Sequence, residues 1–140
     1  IICPETMGKV NQLGDLNEVM ALCQVDERML PTVDFGHLNA RTFGTIKGKA
    51  DYEAILDTLE DKLGADRASR FHSHFSKIMY TVPGGEKMHL TFEDEEYGPQ
   101  FEPLMELIAK KGWTPRFICE SAGTQTEDAA RMMEYYRSLG

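Results

Sequence analysis

Apolar positions fall into four short β-type runs, each followed by a polar stretch and then by a segment with helical spacing. Residues 1–4 form the first run and deliver Glu5 at its end. Asp15, with Glu18 three residues later, makes a capping box, and Leu16, Val19, Met20, Leu22 and Cys23 then recur at helical spacing to about Gln24. The second run, residues 29–33, ends on Asp34 and leads into a glycine-bearing stretch over 36–49, which has the profile of a long functional loop. A helix follows over about 51–63, with Tyr52, Ile55, Leu56, Leu59 and Leu63 on one face and Gly64 as its stop. The third run spans 68–80, centred on 71–78, where alternation puts His72 and His74 on the same side. A second long loop, 83–99, holds His89 and an acidic run, and a helix over 100–111 ends at Gly112. The fourth run, 115–119, delivers Glu120, and a helix over 127–139 closes the chain with Met132, Met133, Tyr136 and Leu139 as its apolar face.

Four successive strand, loop and helix units predict an α/β protein with a parallel sheet and right-handed crossovers. A complete β/α barrel of the TIM type takes about 250 residues, so four units in 140 residues correspond to half of one. The whole chain, 1–140, is expected to be a single domain.

The four runs share one feature that changes this picture from architecture to chemistry. Glu5, Asp34, His72 and Glu120 stand at or near the ends of four consecutive strands, where a barrel places its reactive groups. An Asp at a strand end is commonly a turn former or a helix cap, and each residue alone proves little. Together, three carboxylates and an imidazole suit a divalent ion, Zn²⁺ first and Mn²⁺ as the alternative. His37 and His89 add two further imidazoles in the loops above them.

Charge and composition narrow the partners. A net charge of −8 opposes any broad electrostatic grip on nucleic acid, so a DNA contact has to be local. Three cysteines without CxxC spacing fit a reduced compartment, and no run approaches the roughly 20 apolar residues of a membrane span, which points to a cytoplasmic protein. The chain opens on Ile1 and enters strand-like residues at once, as a piece of a longer protein would.

The wording ICPETMGKVNQLG, PTVDFGHLNAR, FHSHFSK, EKMHLTF and FICESAG resembles the C-terminal half of the endonuclease IV type of apurinic/apyrimidinic endonuclease, over nearly the whole chain. The wider superfamily, the xylose-isomerase-like barrels, shares the Glu, Asp, His, Glu pattern and also contains ketose epimerases and sugar isomerases. The resemblance implies metal-dependent cleavage of DNA 5′ to abasic sites in base-excision repair. It makes Glu5 a carboxylate bridging two metals, Asp34, His72 and Glu120 further ligands, and His37 and His89 ligands of a third metal. Glu120 and Glu5 become the catalytic carboxylates, with Glu120 orienting or deprotonating the attacking water, and Asn39 and Arg41 the nearest substrate-binding groups. His74 has no matching role and is expected to orient a neighbour or fill core. Where the family has Asp two residues before the histidine equivalent to His89, this chain has Lys87, with Glu86 off phase, which implies one tightly held ion rather than three.

The alternative is single-metal sugar isomerase or epimerase chemistry, with Glu5 and Glu120 exchanging a proton beside a chelated carbonyl. A half barrel also leaves two open sheet edges, so a homodimer closing the ring through residues 1–4 and 115–119 is expected.

Overall fold

The computed structural model describes residues 1–140. In chain order the elements are α1 (Leu16–Cys23), β1 (Thr32–Asp34), α2 (Phe35–Arg41), α3 (Lys49–Leu63), α4 (Ala65–Ser69), β2 (His72–Phe75), β3 (Ile78–Thr81), β4 (Gly85–His89), α5 (Glu102–Lys111), β5 (Arg116–Cys119) and α6 (Gln125–Ser138). The chain is α/β. Its main sheet is parallel and open, in the order β1-β2-β5, and β3 and β4 form a separate antiparallel pair. Residues 1–4 do not form a strand of their own. A parallel bridge between Glu5 and Thr32 nevertheless lays this segment along the outer side of β1, with Thr32 donating to the Pro4 carbonyl at 2.8 Å and Thr6 donating to that of Thr32 at 3.0 Å.

Alternation along the three strands explains the layering. Val33, Phe75 and Cys119 are buried in the main core, which also takes Tyr52, Leu56 and Leu59 from α3, Leu104 and Ile108 from α5, and Met132 from α6. Phe35, the first residue of α2, meets Tyr52, Phe71 and Phe75 with ring centroids 5.4, 6.2 and 6.2 Å away, so the turn out of β1 is anchored from inside. The other parity of β1 and β2 is polar and carries Thr32, Asp34, His72 and His74.

Two expectations from the sequence are corrected. The stretch 36–49 is not one long loop, because Asp34 caps a helix there: its Oδ1 accepts from the His37 backbone N–H at 2.8 Å and α2 continues to Arg41. The third run is two strands, with Ser76 and Lys77 between them, and its second half turns away to pair with β4 inside the supposed loop 83–99. Lys77, only 5% exposed, donates its ammonium protons to the Phe92 and Asp94 carbonyls and so fastens the segment after β4.

Gly36 lets α2 lie directly on the β2–β3 connection: a Cβ there would overlap the Ser76 carbonyl and crowd Ile78. Gly36→Ala is therefore expected to cost about 1–3 kcal/mol or more in chemical denaturation. Unchanged stability would mean that α2 shifts freely.

Candidate metal centre

Parallel pairing fixes which side chains stand level with one another. Asp34 pairs with His74, not with His72, which lies one step back along the strand beside Thr32 and Arg116. Two residues along a strand are about 6.6 Å, enough to take His72 out of reach. The expected quartet is thus corrected: the ligand atoms that come together, all within 4.8 Å, belong to Glu5, Asp34, His74 and Glu120. Alternation gave both histidines the same face, and only the register chooses between them.

Each member is held by backbone. Glu5 follows the segment laid against β1, Asp34 ends β1 and Glu120 directly follows β5, with its N–H donating to Phe75 at 3.0 Å. Thr6 locks the first two together: its hydroxyl donates to the Asp34 carbonyl at 3.3 Å and accepts from the Asp34 N–H at 2.8 Å. The His74 Nδ1 lies 2.9 Å from Glu5 and 3.4 Å from Glu120. The cluster sits at the C-terminal ends of the strands, whereas the cleft of about 950 Å³ lined by Ile1, Ile2, Met29 and Arg67 lies at their N-terminal ends.

Asp34 is both a cap and something more. It is fully buried, its Oδ1 is used by the helix, and its Oδ2 has no hydrogen-bond partner. Burial pushes its carboxyl well above the ordinary 3.8; the His37 N–H opposes this, and the charges of Glu120 and Glu5 push it further up. The hydrogen bond that its Nδ1–H donates to Glu5 raises the His74 imidazole, against its own burial. Burial pulls Glu5 upward, but the His74 bond and the histidine charges leave it lowered overall.

A second group, His37, His89 and Glu120, also brings its ligand atoms within 4.8 Å of one another, and its Glu120 is common to both groups. Glu120 is therefore the residue that these two groups share. The His37 Nδ1 donates to the Thr6 carbonyl at 2.8 Å, and Ser76 orients His89 through a 2.7 Å contact to Nδ1.

The two expected substrate-binding residues are engaged elsewhere. Arg41 donates to the carbonyls of Met7, Lys9, Val10 and Gln12 and thereby shapes the loop after Glu5. Asn39 is 2% exposed and accepts from the Ile46 N–H at 3.0 Å. Both organise loops around the site rather than facing into it. His74 is the ligand-grade residue that the sequence pattern left without a role.

No helix is long and apolar enough to cross a membrane. Among curated proteins, the chain is 32% identical over 136 residues to the uncharacterized protein MJ0133 of Methanocaldococcus jannaschii; the match covers 97% of this chain and 48% of that protein. The chain thus spans about half the length of the relative it matches. No family model and no solved structure matches it.

Proposed function

We propose that this chain is the metal-bearing half of a divalent-metal-dependent phosphodiesterase of the endonuclease IV type, acting on DNA at abasic sites. The observation that carries the reading is Asp34 Oδ2, a buried carboxylate oxygen that makes no hydrogen bond and lies 3.3 Å from the His37 Nδ1, among Glu5, His74 and Glu120. An unpaired buried carboxylate is costly, and a divalent ion is the partner that this donor set fits. On this reading the order Glu5 segment, β1, β2, β5 corresponds to four consecutive staves of a β/α barrel.

A divalent ion supplies Lewis acidity and neutralises charge on a phosphodiester. The chain's own residues supply the rest. Asp34 and His74 hold fixed positions because backbone pairing and the α2 cap leave them no freedom. Glu120 is partly exposed and common to both ligand groups, which suits it to take a proton from the attacking water. The sharing of Glu120 between two groups favours phosphodiester hydrolysis over single-ion isomerase chemistry, for which the first group suffices.

A protein of the relative's full length, reconstituted with Zn²⁺ or Mn²⁺, is expected to incise a duplex carrying a tetrahydrofuran abasic analogue on its 5′ side, and Glu120→Gln to abolish incision. The half chain alone is expected to incise weakly or not at all. A loaded full-length protein that leaves the duplex intact while epimerising a ketose would establish the isomerase reading instead.

A further inference from the structure

We infer that the Phe43 and Tyr80 rings form a stacking shelf for a nucleobase about two or three steps from the abasic position, at the outer end of the seam between α2 and the β3–β4 hairpin. The inference rests on the phosphodiesterase reading and adds to it a substrate contact, Asn39 and Arg41 being engaged elsewhere.

Phe43 is the one residue other than glycine with a positive φ, +58°. It stands where α2 closes. The Gly44 N–H donates to the Asn39 carbonyl at 2.8 Å and the Phe43 N–H to that of Ala40 at 3.2 Å, the pair of bonds that ends a helix on a left-handed residue. Glycine is the usual occupant of that position, because a Cβ there meets the neighbouring carbonyl. Deep burial does not explain the exception: Phe43 is 38% exposed, and its ring leans on that of Tyr80 with centroids 6.4 Å apart. An aromatic ring kept on a strained backbone and left open to solvent is the mark of a contact surface.

The shelf continues the candidate site. Ile78 reaches the start of α2, where a Cβ on Gly36 would crowd it at 2.9 Å, and Tyr80 reaches past the end of the helix, where a Cβ on Gly44 would lie 2.5 Å from the Tyr80 hydroxyl. The hairpin therefore lies along α2, and the His37 and His89 rings, 5.7 Å apart, belong to the same seam. Phe43 follows His37 by six residues, about 9 Å at 1.5 Å per residue. Bases along one strand are about 3.4 Å apart, so a phosphodiester held beside the histidines brings a base two or three steps away to Phe43. Tyr97 meets Tyr80 edge-on, with centroids 5.2 Å apart, and props the shelf from the far side. A ring face accepts any base and asks for no cation, which suits a chain of net charge −8.

The test follows, by fluorescence anisotropy, binding of the Zn²⁺-loaded 140-residue chain to a labelled duplex with a tetrahydrofuran abasic analogue. A second duplex also lacks the bases two and three steps away on the same strand, first on the 5′ side and then on the 3′ side. Removing the bases on one of the two sides is expected to weaken binding roughly tenfold. Phe43→Gly and Phe43→Leu should bind the duplexes equally weakly, and Phe43→Tyr should restore the difference. Melting gives the readout that a packing role would not: Phe43→Gly should melt at the same temperature or higher, since the left-handed position no longer carries a Cβ. A lower Tm for Phe43→Gly, or a base dependence that persists without the ring, would make Phe43 a packing residue and overturn the shelf. An unaltered chain that binds the duplexes equally, or binds none of them, also overturns it and leaves the phosphodiesterase reading to the incision assay.

Discussion

Asp34→Asn is expected to do two opposite things: to remove metal binding at the first group and to make the metal-free protein more stable. The amide keeps the oxygen that caps α2 through the His37 N–H. Where the carboxylate leaves a second oxygen buried, without a hydrogen bond, 3.3 Å from the His37 Nδ1 and pressed by Glu120 and Glu5, the amide carries no charge and turns an N–H₂ toward those carboxylates. Relief of one unsatisfied buried group contributes about 1–3 kcal/mol. For a domain of this size that is roughly 3 °C or more in Tm, at a pH where the folded Asp34 carboxyl is ionised. Metal affinity should fall by more than the roughly 10–100-fold that loss of an outer-shell partner costs, because a ligand itself is removed. Calorimetric melts with and without Zn²⁺ read both effects. The unaltered chain should gain Tm on loading, and the variant should start higher and gain nothing. An Asp34→Asn variant that is less stable than the unaltered metal-free chain would show that the orphaned oxygen is not a strained one.

The same residue shows how much was legible in the sequence. Asp34, Glu5 and Glu120 were identifiable because each follows the last apolar residue of a run, and parallel strands carry such positions to a common edge. The cap and ligand readings of Asp34 looked exclusive in the sequence, yet Oδ1 alone makes the cap and leaves Oδ2 without a hydrogen bond. His74 was not separable from His72, since period-2 alternation is blind to a shift of two, and only pairing with Asp34 fixes the level. The Glu86 contact with His37, at 2.9 Å, was hidden by a different mechanism, a bulge at Lys87 that reverses parity at one position. Helix α2 was missed because its seven residues carry three ligand-grade or loop-like side chains and a glycine, so burial of Phe35, Leu38 and Ala40 decides the element rather than periodicity. Arg41 and Asn39 are a further lesson of this kind. A cation beside a candidate phosphate site invites a binding role, but four backbone carbonyls compete for the Arg41 guanidinium and take it.

Metal affinity at the first group is expected to climb steeply with pH. In the metal-free chain Asp34 is held above its ordinary 3.8 and His74 above its ordinary 6.5, so the folded protein keeps protons that the unfolded chain has released. Their contribution to stability is therefore full at low pH and is lost as pH rises through each folded value. Glu5 acts in the other direction: lowered from 4.5, it contributes above that value and loses its contribution as pH falls through its folded one. The metal-free chain should thus be most stable in the window between the lowered Glu5 and the raised His74, and should weaken toward alkaline pH. An ion requires the deprotonated forms of both Asp34 and His74, so each proton it displaces makes its affinity rise about tenfold per pH unit, until the folded value of that group is passed. Isothermal titration of Zn²⁺ in buffers of differing ionisation enthalpy, across about pH 6–8, counts those protons directly. Release of about one to two protons per ion is expected, with the gap in Tm between loaded and metal-free protein widening as pH rises. Asp34→Asn should abolish both the release and the widening. An affinity independent of pH, with no proton release, would mean that the quartet stands ready in its charged form and that the buried oxygen of Asp34 is neutralised by something other than a proton.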